Sequence, residues 1–294
     1  MRVRTIGLER WVLPAVCLLA ATEWVQANGF RNPPEGAAAL SMTGGKTAMR
    51  DDATAVSHNP ANLVNLEASE LHSSISFVHA EIDYKGASGS GSTTDPWKYL
   101  PNFFYAAPIP DLDISAGIGL TTPYGQSTEW EEDGPFAFTA PYLAELRTIN
   151  IRPVLAYRIS PEWSVAAGPD FMYSDLNFKQ LFPWGAVTGN PAEAPGNMRL
   201  EGDGLGVGGT IALAWKPAEG HRVGLTYRSR VKVDYEGDLD VTDIPPPSSL
   251  PDPLGMILAP SSDLDTEITF PSIVSLGEGY AVSEEVRVAV DVEW

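Results

Sequence analysis

From residue 68 onward, segments with apolar residues at every second position are joined by turns that are short, then long, then short again. The short joins are Pro108–Asp111, Ser160–Glu162 and Pro217–Gly220. The long ones are Gly86–Trp97, Tyr124–Tyr142, Asn177–Arg199 and Gly237–Asp263. A period of two sends successive side chains to opposite faces of a strand, and tight turns between strands make the pairing antiparallel. Tight turns at one end with long loops at the other is the layout of an outer-membrane barrel.

Nine such segments can be read. Arg147–Ile159, His221–Glu236 and the terminal run of Val286, Val288, Val290, Val292 and Trp294 alternate most strictly. Leu112–Thr122, Trp163–Asp175 and Leu205–Lys216 do so less strictly, and Glu70–Lys85, Lys98–Ala107 and Glu267–Leu276 are irregular. Several reach the roughly 9–11 residues that a tilted strand needs to cross a bilayer. In His221–Glu236, the residues Val223, Leu225, Tyr227, Val231, Val233 and Tyr235 are expected on one face, opposite Arg222, Arg228, Arg230 and Lys232. A soluble sandwich must keep its inner face dry. A barrel can turn four cations into a watery lumen and the apolar face into lipid.

The chain before the strands has two parts. Arg2, Arg4 and Arg10, the apolar run Trp11–Ala21 and the sequence Val25-Gln26-Ala27 form a secretory signal, expected over residues 1–27. Residues 28–67 are small and helix-tolerant and precede the first strand, so they are expected to fold back as a plug; the barrel occupies 68–294. Cys17, in the signal, is the only cysteine, so no disulfide or thiolate metal site is expected in the mature chain. A net charge of -19 argues against nucleic-acid binding.

Catalysis finds little footing. His72 and His79 are seven apart and face opposite sides of a strand. Gly204-Leu205-Gly206-Val207-Gly208-Gly209 matches a dinucleotide fingerprint, but alternation continues through Ile211, Leu213 and Trp215 where a helix is required. No enzyme activity, cofactor or metal is expected.

Asn28-Gly29-Phe30, Gly44-Gly45, Asp51-Asp52-Ala53 and Ser57-His58-Asn59-Pro60-Ala61-Asn62-Leu63 resemble the N-terminal hatch of the FadL/OmpP1/TodX family. Thr122-Pro123-Tyr124-Gly125, Glu129-Trp130, Pro153–Arg158, Gly224–Arg230 and Asp291-Val292-Glu293-Trp294 continue the resemblance along the mature chain. The resemblance implies an all-β fold: an antiparallel transmembrane barrel in the outer membrane, with a small helical hatch carrying the motif Asn59, Pro60 and Ala61. It also implies fourteen strands, so the chain is expected to be C-terminally truncated and the complete protein a monomer. The alternative is that Trp294 is the final aromatic of a complete barrel.

The implied function is passive uptake of long-chain fatty acids or other hydrophobic small molecules through a plugged barrel. The partners would be that substrate and the outer-membrane lipid with its lipopolysaccharide. Leu181, Phe182 and Trp184 in one outer loop, and Leu254, Met256, Ile257 and Leu258 in another, are expected to form a capture groove, or to pack loop on loop. Phe30, Arg152, Arg158, Arg228 and Arg230 are candidate lumen contacts, although the arginines can equally pair with acids of hatch or wall. Gly117 and Gly119 mark an expected side opening, or merely make room for the hatch. The competing function is a structural or adhesive barrel whose acidic loops bind a partner.

Overall fold

A computed structural model describes residues 31–41, 45–250, 261–283 and 286–294. The signal 1–27, Phe30 and the loop residues Leu254, Met256, Ile257 and Leu258 lie outside the described residues. Among the described residues no helix is long and apolar enough to cross a membrane; the chain is organised by strands. They are β1 (Glu70–His79), β2 (Asp83–Gly86), β3 (Gly89–Ser92), β4 (Trp97–Pro108), β5 (Ile114–Thr121), β6 (Gly125–Glu129) and β7 (Leu143–Arg158). They continue with β8 (Trp163–Phe182), β9 (Gly196–Trp215), β10 (His221–Arg228), β11 (Val231–Val241), β12 (Ser261–Phe270), β13 (Ile273–Ala281) and β14 (Arg287–Glu293).

One curved antiparallel sheet follows the path β1-β4-β5-β7-β8-β9-β10-β13-β14. These are the nine crossings read from the alternation. The remaining strands extend that path: β6 continues β5, and β11 and β12 prolong β10 and β13 into the long loop between them, while β2 and β3 form a separate hairpin. Outward side chains are apolar and bare. Leu205 is 72% exposed, Val207 65% and Leu155 60%. A contiguous apolar belt of this kind marks contact with a non-aqueous partner, here the lipid. Higher on the wall the outward row becomes acidic, running through the paired residues Asp175, Asp203, Glu236 and Asp265, which sets the outer limit of the apolar belt.

Two one-residue insertions change which side chains face inward. Arg228 pairs with Thr210 of β9, whereas Glu236 pairs with Asp203, so eight steps on one strand match seven on the other. The extra residue is a bulge at Ser229–Arg230, anchored by Ser229 N–H to Gly209 O at 2.8 Å and Gly209 N–H to Ser229 Oγ at 2.9 Å. A one-residue slip exchanges the faces of everything beyond it. Val231, Val233 and Tyr235 therefore point inward and are buried, while Lys232 and Asp234 are exposed. This corrects the single face read for His221–Glu236, and Arg230 is exposed instead of lining the lumen. The second insertion lies between Thr121, paired with Asn150, and Gly125, paired with Arg147.

The hatch fills the end of the barrel that carries the tight turns. It comprises α1 (Ala37–Ser41), α2 (Lys46–Met49), α3 (Ala55–His58) and a 3-10 helix, Pro60–Asn65. Each helix is too short to be stable alone, so packing must hold it. Ala53, Ala55, Val56, Ala61 and Leu63 are wholly buried against inward Phe104, Ala106, Val154, Ala156, Ala166, Ala212 and Ala214. Small wall residues allow this close approach. At Gly224 an added Cβ would stand 2.3 Å from Thr47 O and 2.7 Å from Asn59 Nδ2. Gly224→Ala is therefore expected to loosen the hatch by about 1–3 kcal/mol, the usual cost of overpacking. Faster proteolysis within residues 31–67 of the folded protein, against an unchanged lipid-facing control such as Leu205→Ala, checks this.

Candidate functional site

The hatch sequence folds locally around Asn59. This residue has an extended backbone (φ -150°) and caps the 3-10 helix, its Oδ1 accepting from Ala61 N–H at 3.1 Å. Pro60 stands at the first helical position, where its missing N–H leaves no donor orphaned. The Asn59 Nδ2 then donates to Thr47 O of α2 at 2.9 Å and to Leu213 O of the wall at 3.1 Å. One fully buried amide thus joins two hatch helices to β9.

Other wall side chains reach hatch carbonyls. Ser164 Oγ donates to Ala61 O at 2.8 Å, Thr226 Oγ1 to His58 O at 3.2 Å, and Arg158 to Val64 O. Lys216 Nζ donates to Asn65 Oδ1 at 2.8 Å, and Arg222 pairs with Asp51. On the far wall, Asp291 Oδ2 accepts from Lys46 N–H at 2.9 Å, and Glu293 pairs with Arg31. The two acids of the terminal Asp-Val-Glu-Trp block therefore both serve the hatch.

Above the hatch lies a small polar hollow of about 20 Å³, lined by Arg31, Arg152, Arg228, Asn150, Asp170 and Tyr124. That is room for one water-sized group. Arg152 is 6% exposed and pairs with Asp170, which also accepts from Thr210 Oγ1 at 2.6 Å and Asn150 Nδ2 at 3.1 Å. Arg228 differs: its buried Nε has no hydrogen-bond partner among the described residues. Directly above stand Tyr124, Leu146, Met172, Leu176, Val231, Val233, Tyr235 and Phe270, an apolar cluster inside the lumen. Cations at the base of an apolar cluster suit an amphiphile with an anionic end. The bulge at Ser229–Arg230 completes that cluster, because it turns Val231, Val233 and Tyr235 inward.

A second and larger space opens through the wall. β4 pairs with β5 only from Phe103↔Leu120 down to Pro108↔Ser115, and β6 pairs with β7 alone. The upper half of β4, Trp97–Asn102, is therefore unpaired on the side facing β6. A cavity of about 1100 Å³ occupies this slot. It runs from inward Leu146 and Leu176 past Leu100 and Gly125 to outward Ile149 and Tyr173. Hatch residues Asn32 and Pro33 form part of its inner end. Asn32 Nδ2 donates to Thr122 O at 2.7 Å and Asn32 N–H to Pro123 O at 2.9 Å. Those bonds hold the hatch leader against the interrupted stretch Thr122-Pro123-Tyr124. Tyr124 lines both the polar hollow and the slot.

The family of outer membrane protein transport proteins (OMPP1/FadL/TodX) matches residues 18–294. The chain belongs to that family. Like its relatives in this OMPP1/FadL/TodX family, it is an outer-membrane barrel protein. It is similar to the long-chain fatty acid transport protein of Escherichia coli O6:H1, 28% identical over 270 residues, covering 81% of this chain and 58% of that one. The chain thus spans a little over half the length of this relative. In fold it is similar to the crystal structure of a Pseudomonas aeruginosa FadL homologue, with a TM-score of 0.70 and 16% identity, covering 91% of this chain and 69% of that one. The Pseudomonas putida toluene transporter TodX has a TM-score of 0.63 and 19% identity, covering 91% of this chain and 71% of that one.

Within this FadL-type frame the expected site residues separate. Asn59, Pro60 and Ala61 form the hatch joint. Arg152 and Arg228 meet at the polar hollow, Arg158 serves the hatch, and Arg230 is outside. Gly117 and Gly119 lie in the fully paired part of β5 beneath the hatch: an added Cβ at Gly117 would be 2.6 Å from Val56 Cγ2. These glycines make room for the hatch, the other reading given for them, and the gap in pairing between β4 and β6 lies above them, where Thr122–Tyr124 interrupts the strand. Leu181 and Phe182 end β8, and Trp184 is 1% exposed within a short helix, α4 (Trp184–Thr188), with Phe182 packed on it at 4.4 Å. Trp184 therefore packs within its loop. Sequence reading missed Tyr124, Arg31 and the slot; Pro123 beside Tyr124 was the available signal, since proline interrupts a ladder.

His58 gives the hatch a pH dependence. Burial lowers its pKa from 6.5 to about 4, against the opposing pull of Glu35. Its Nε2 lies 3.0 Å from Glu35 O. Between those values the unfolded hatch takes up a proton that the seated hatch refuses, so stability is complete above about 6.5 and is lost as pH falls towards about 4. Protection of hatch amides, corrected for the slower intrinsic exchange at low pH, is expected to fall over this window, and His58→Gln is expected to flatten the change. An identical profile in the variant would assign the effect to other groups.

Proposed function

We propose that this protein admits long-chain fatty acids or similar hydrophobic compounds through the outer membrane by passive movement. The route runs from the apolar lumen, past the arginine hollow, to the slot beside β6. The observation that carries the reading is the adjacency of these spaces: Tyr124 lines both the hollow and the slot. The hatch blocks the straight route, because its backbone groups are bonded to wall side chains around the lumen. The slot opens at the upper edge of the apolar belt, beside outward Ile149 and Tyr173 and below the acidic row, where a hydrophobic molecule can enter lipid.

The chemistry supports an amphiphile. Burying an acyl chain against Met172, Leu176, Val231 and Phe270 supplies affinity at roughly 25 cal/mol per Å². A carboxylate suits the unpaired Nε of Arg228, and bonds to charged groups contribute about 1.5–3 kcal/mol. Lipopolysaccharide would surround the acidic upper rim, and the fatty acid would first meet the outer loops.

Arg228→Leu is expected to weaken uptake of a long-chain fatty acid by roughly tenfold to a hundredfold at limiting concentration. Uptake of an alkane of equal length should hardly change. Leu100→Trp, which fills the slot, should reduce both. Measured uptake by cells expressing the full-length protein decides between outcomes. Equal loss of both substrates in Arg228→Leu would remove the carboxylate role. Undiminished uptake in Leu100→Trp would remove the slot from the route.

A further inference from the structure

Resting on the reading of the slot as the exit, the geometry points to a clip between two outer loops that fixes the slot's width and so the girth of the molecules that pass. The slot's lower end is closed by the Phe103↔Leu120 pair. Above it, Trp97–Asn102 extends six residues without a partner on that side, roughly 20 Å at the rise of a strand. Two edges of that length, tied at one end only, would splay.

The upper tie comes from the β2–β3 hairpin. Just after β3, Thr94 N–H donates to Glu129 O, the last residue of β6, at 2.9 Å. Tyr84 of β2 lies 4.6 Å from Phe136, and Phe136 lies 4.9 Å from Trp130, ring centre to ring centre. Both Phe136 and Trp130 belong to the loop after β6, so the rings join the two sides of the slot. The hairpin is built for this contact. At Gly91 an added Cβ would stand 3.0 Å from Pro135, so glycine lets the strands lie against that loop. Phe138 is held at φ +67°, a conformation a phenylalanine keeps only where its surroundings fix it. At the base of the hairpin, Ile82 N–H donates to Thr93 Oγ1 at 3.1 Å and Thr93 N–H to Ile82 O at 3.1 Å. Ile82 itself lines the cavity, so the clip and the passage share a residue.

None of these residues touches the polar hollow, so the clip selects by cross-section and not by headgroup. A slender alkyl chain passes the clipped slot; a fused-ring hydrocarbon needs it wider.

The test uses the full-length protein in outer membranes, with hexadecane as the slender probe and pyrene as the bulky one. Tyr84→Ala with Phe136→Ala removes the ring contacts and is expected to raise the pyrene-to-hexadecane uptake ratio by up to about tenfold, the effect of losing two aromatic pairs. Tyr84→Cys with Phe136→Cys, joined by a short reducible bis-methanethiosulfonate linker, is expected to hold the ratio at or below the wild-type value, and reduction is expected to raise it. Heat-modified gel mobility identifies any variant that fails to fold, and the reversible cysteine pair then carries the test. If Leu100→Trp blocks both probes while neither clip variant moves the ratio, the clip is overturned and the slot route stands. If Leu100→Trp blocks neither, the slot reading fails, and the clip fails with it.

Discussion

A barrel that encloses a plug must satisfy the plug's backbone from its own inner face, and the rest of this structure depends on that exchange. The hatch helices are of four to six residues, so most of their N–H and C=O groups have no partner within the helix. Asn59 answers for three elements at once, capping the 3-10 helix and bridging α2 to β9. Ser164, Thr226, Arg158 and Asp291 complete the set from four separate strands. Because the bonds come from around the lumen, the hatch cannot shift as a unit without breaking several together. A fixed plug makes an opening in the wall useful.

The wall supplies that opening through a change of register. An ideal ladder would be continuous from β5 to β6. The extra residue at Thr122–Tyr124 ends the pairing with β4 and leaves a slot beside a cavity of about 1100 Å³. The other insertion, at Ser229–Arg230, has the opposite use: it keeps the ladder to β9 but exchanges faces, bringing Val231, Val233 and Tyr235 inward. One insertion lies where the wall leaves its slot and the other turns apolar residues inward, each a single residue.

Much of the plan was legible in the chain. Alternation, strict in three segments and weaker in three more, located most of the nine crossings of the sheet path, because lipid outside and a packed lumen inside impose opposite chemistry on successive residues. The loop asymmetry and the helical hatch followed from turn lengths and composition, and the Asn59-Pro60-Ala61 motif from the resemblance to the FadL/OmpP1/TodX family. What escaped was any property set by pairing. Arg230 was placed in the lumen because its alternation runs unbroken on paper, and a bulge leaves no mark on period-two counting. Trp184 read as an exposed loop aromatic, and its burial depends on how the loop folds back onto the start of β9 at Gly196. Gly117 and Gly119 suggested an opening, but small residues serve close packing as well as gaps.

The amino-acid sequence by itself determined that this protein crosses a membrane as strands behind a helix-tolerant plug segment, since hydrophobic period and composition are written residue by residue, and its motif blocks by their resemblance pointed to a family of transport proteins. Only the tertiary structure decided where the wall parts and that the buried Nε of Arg228 has no hydrogen-bond partner among the described residues. Both depend on which residue of one strand lies opposite which of another, and a shift of one residue reverses every face beyond it.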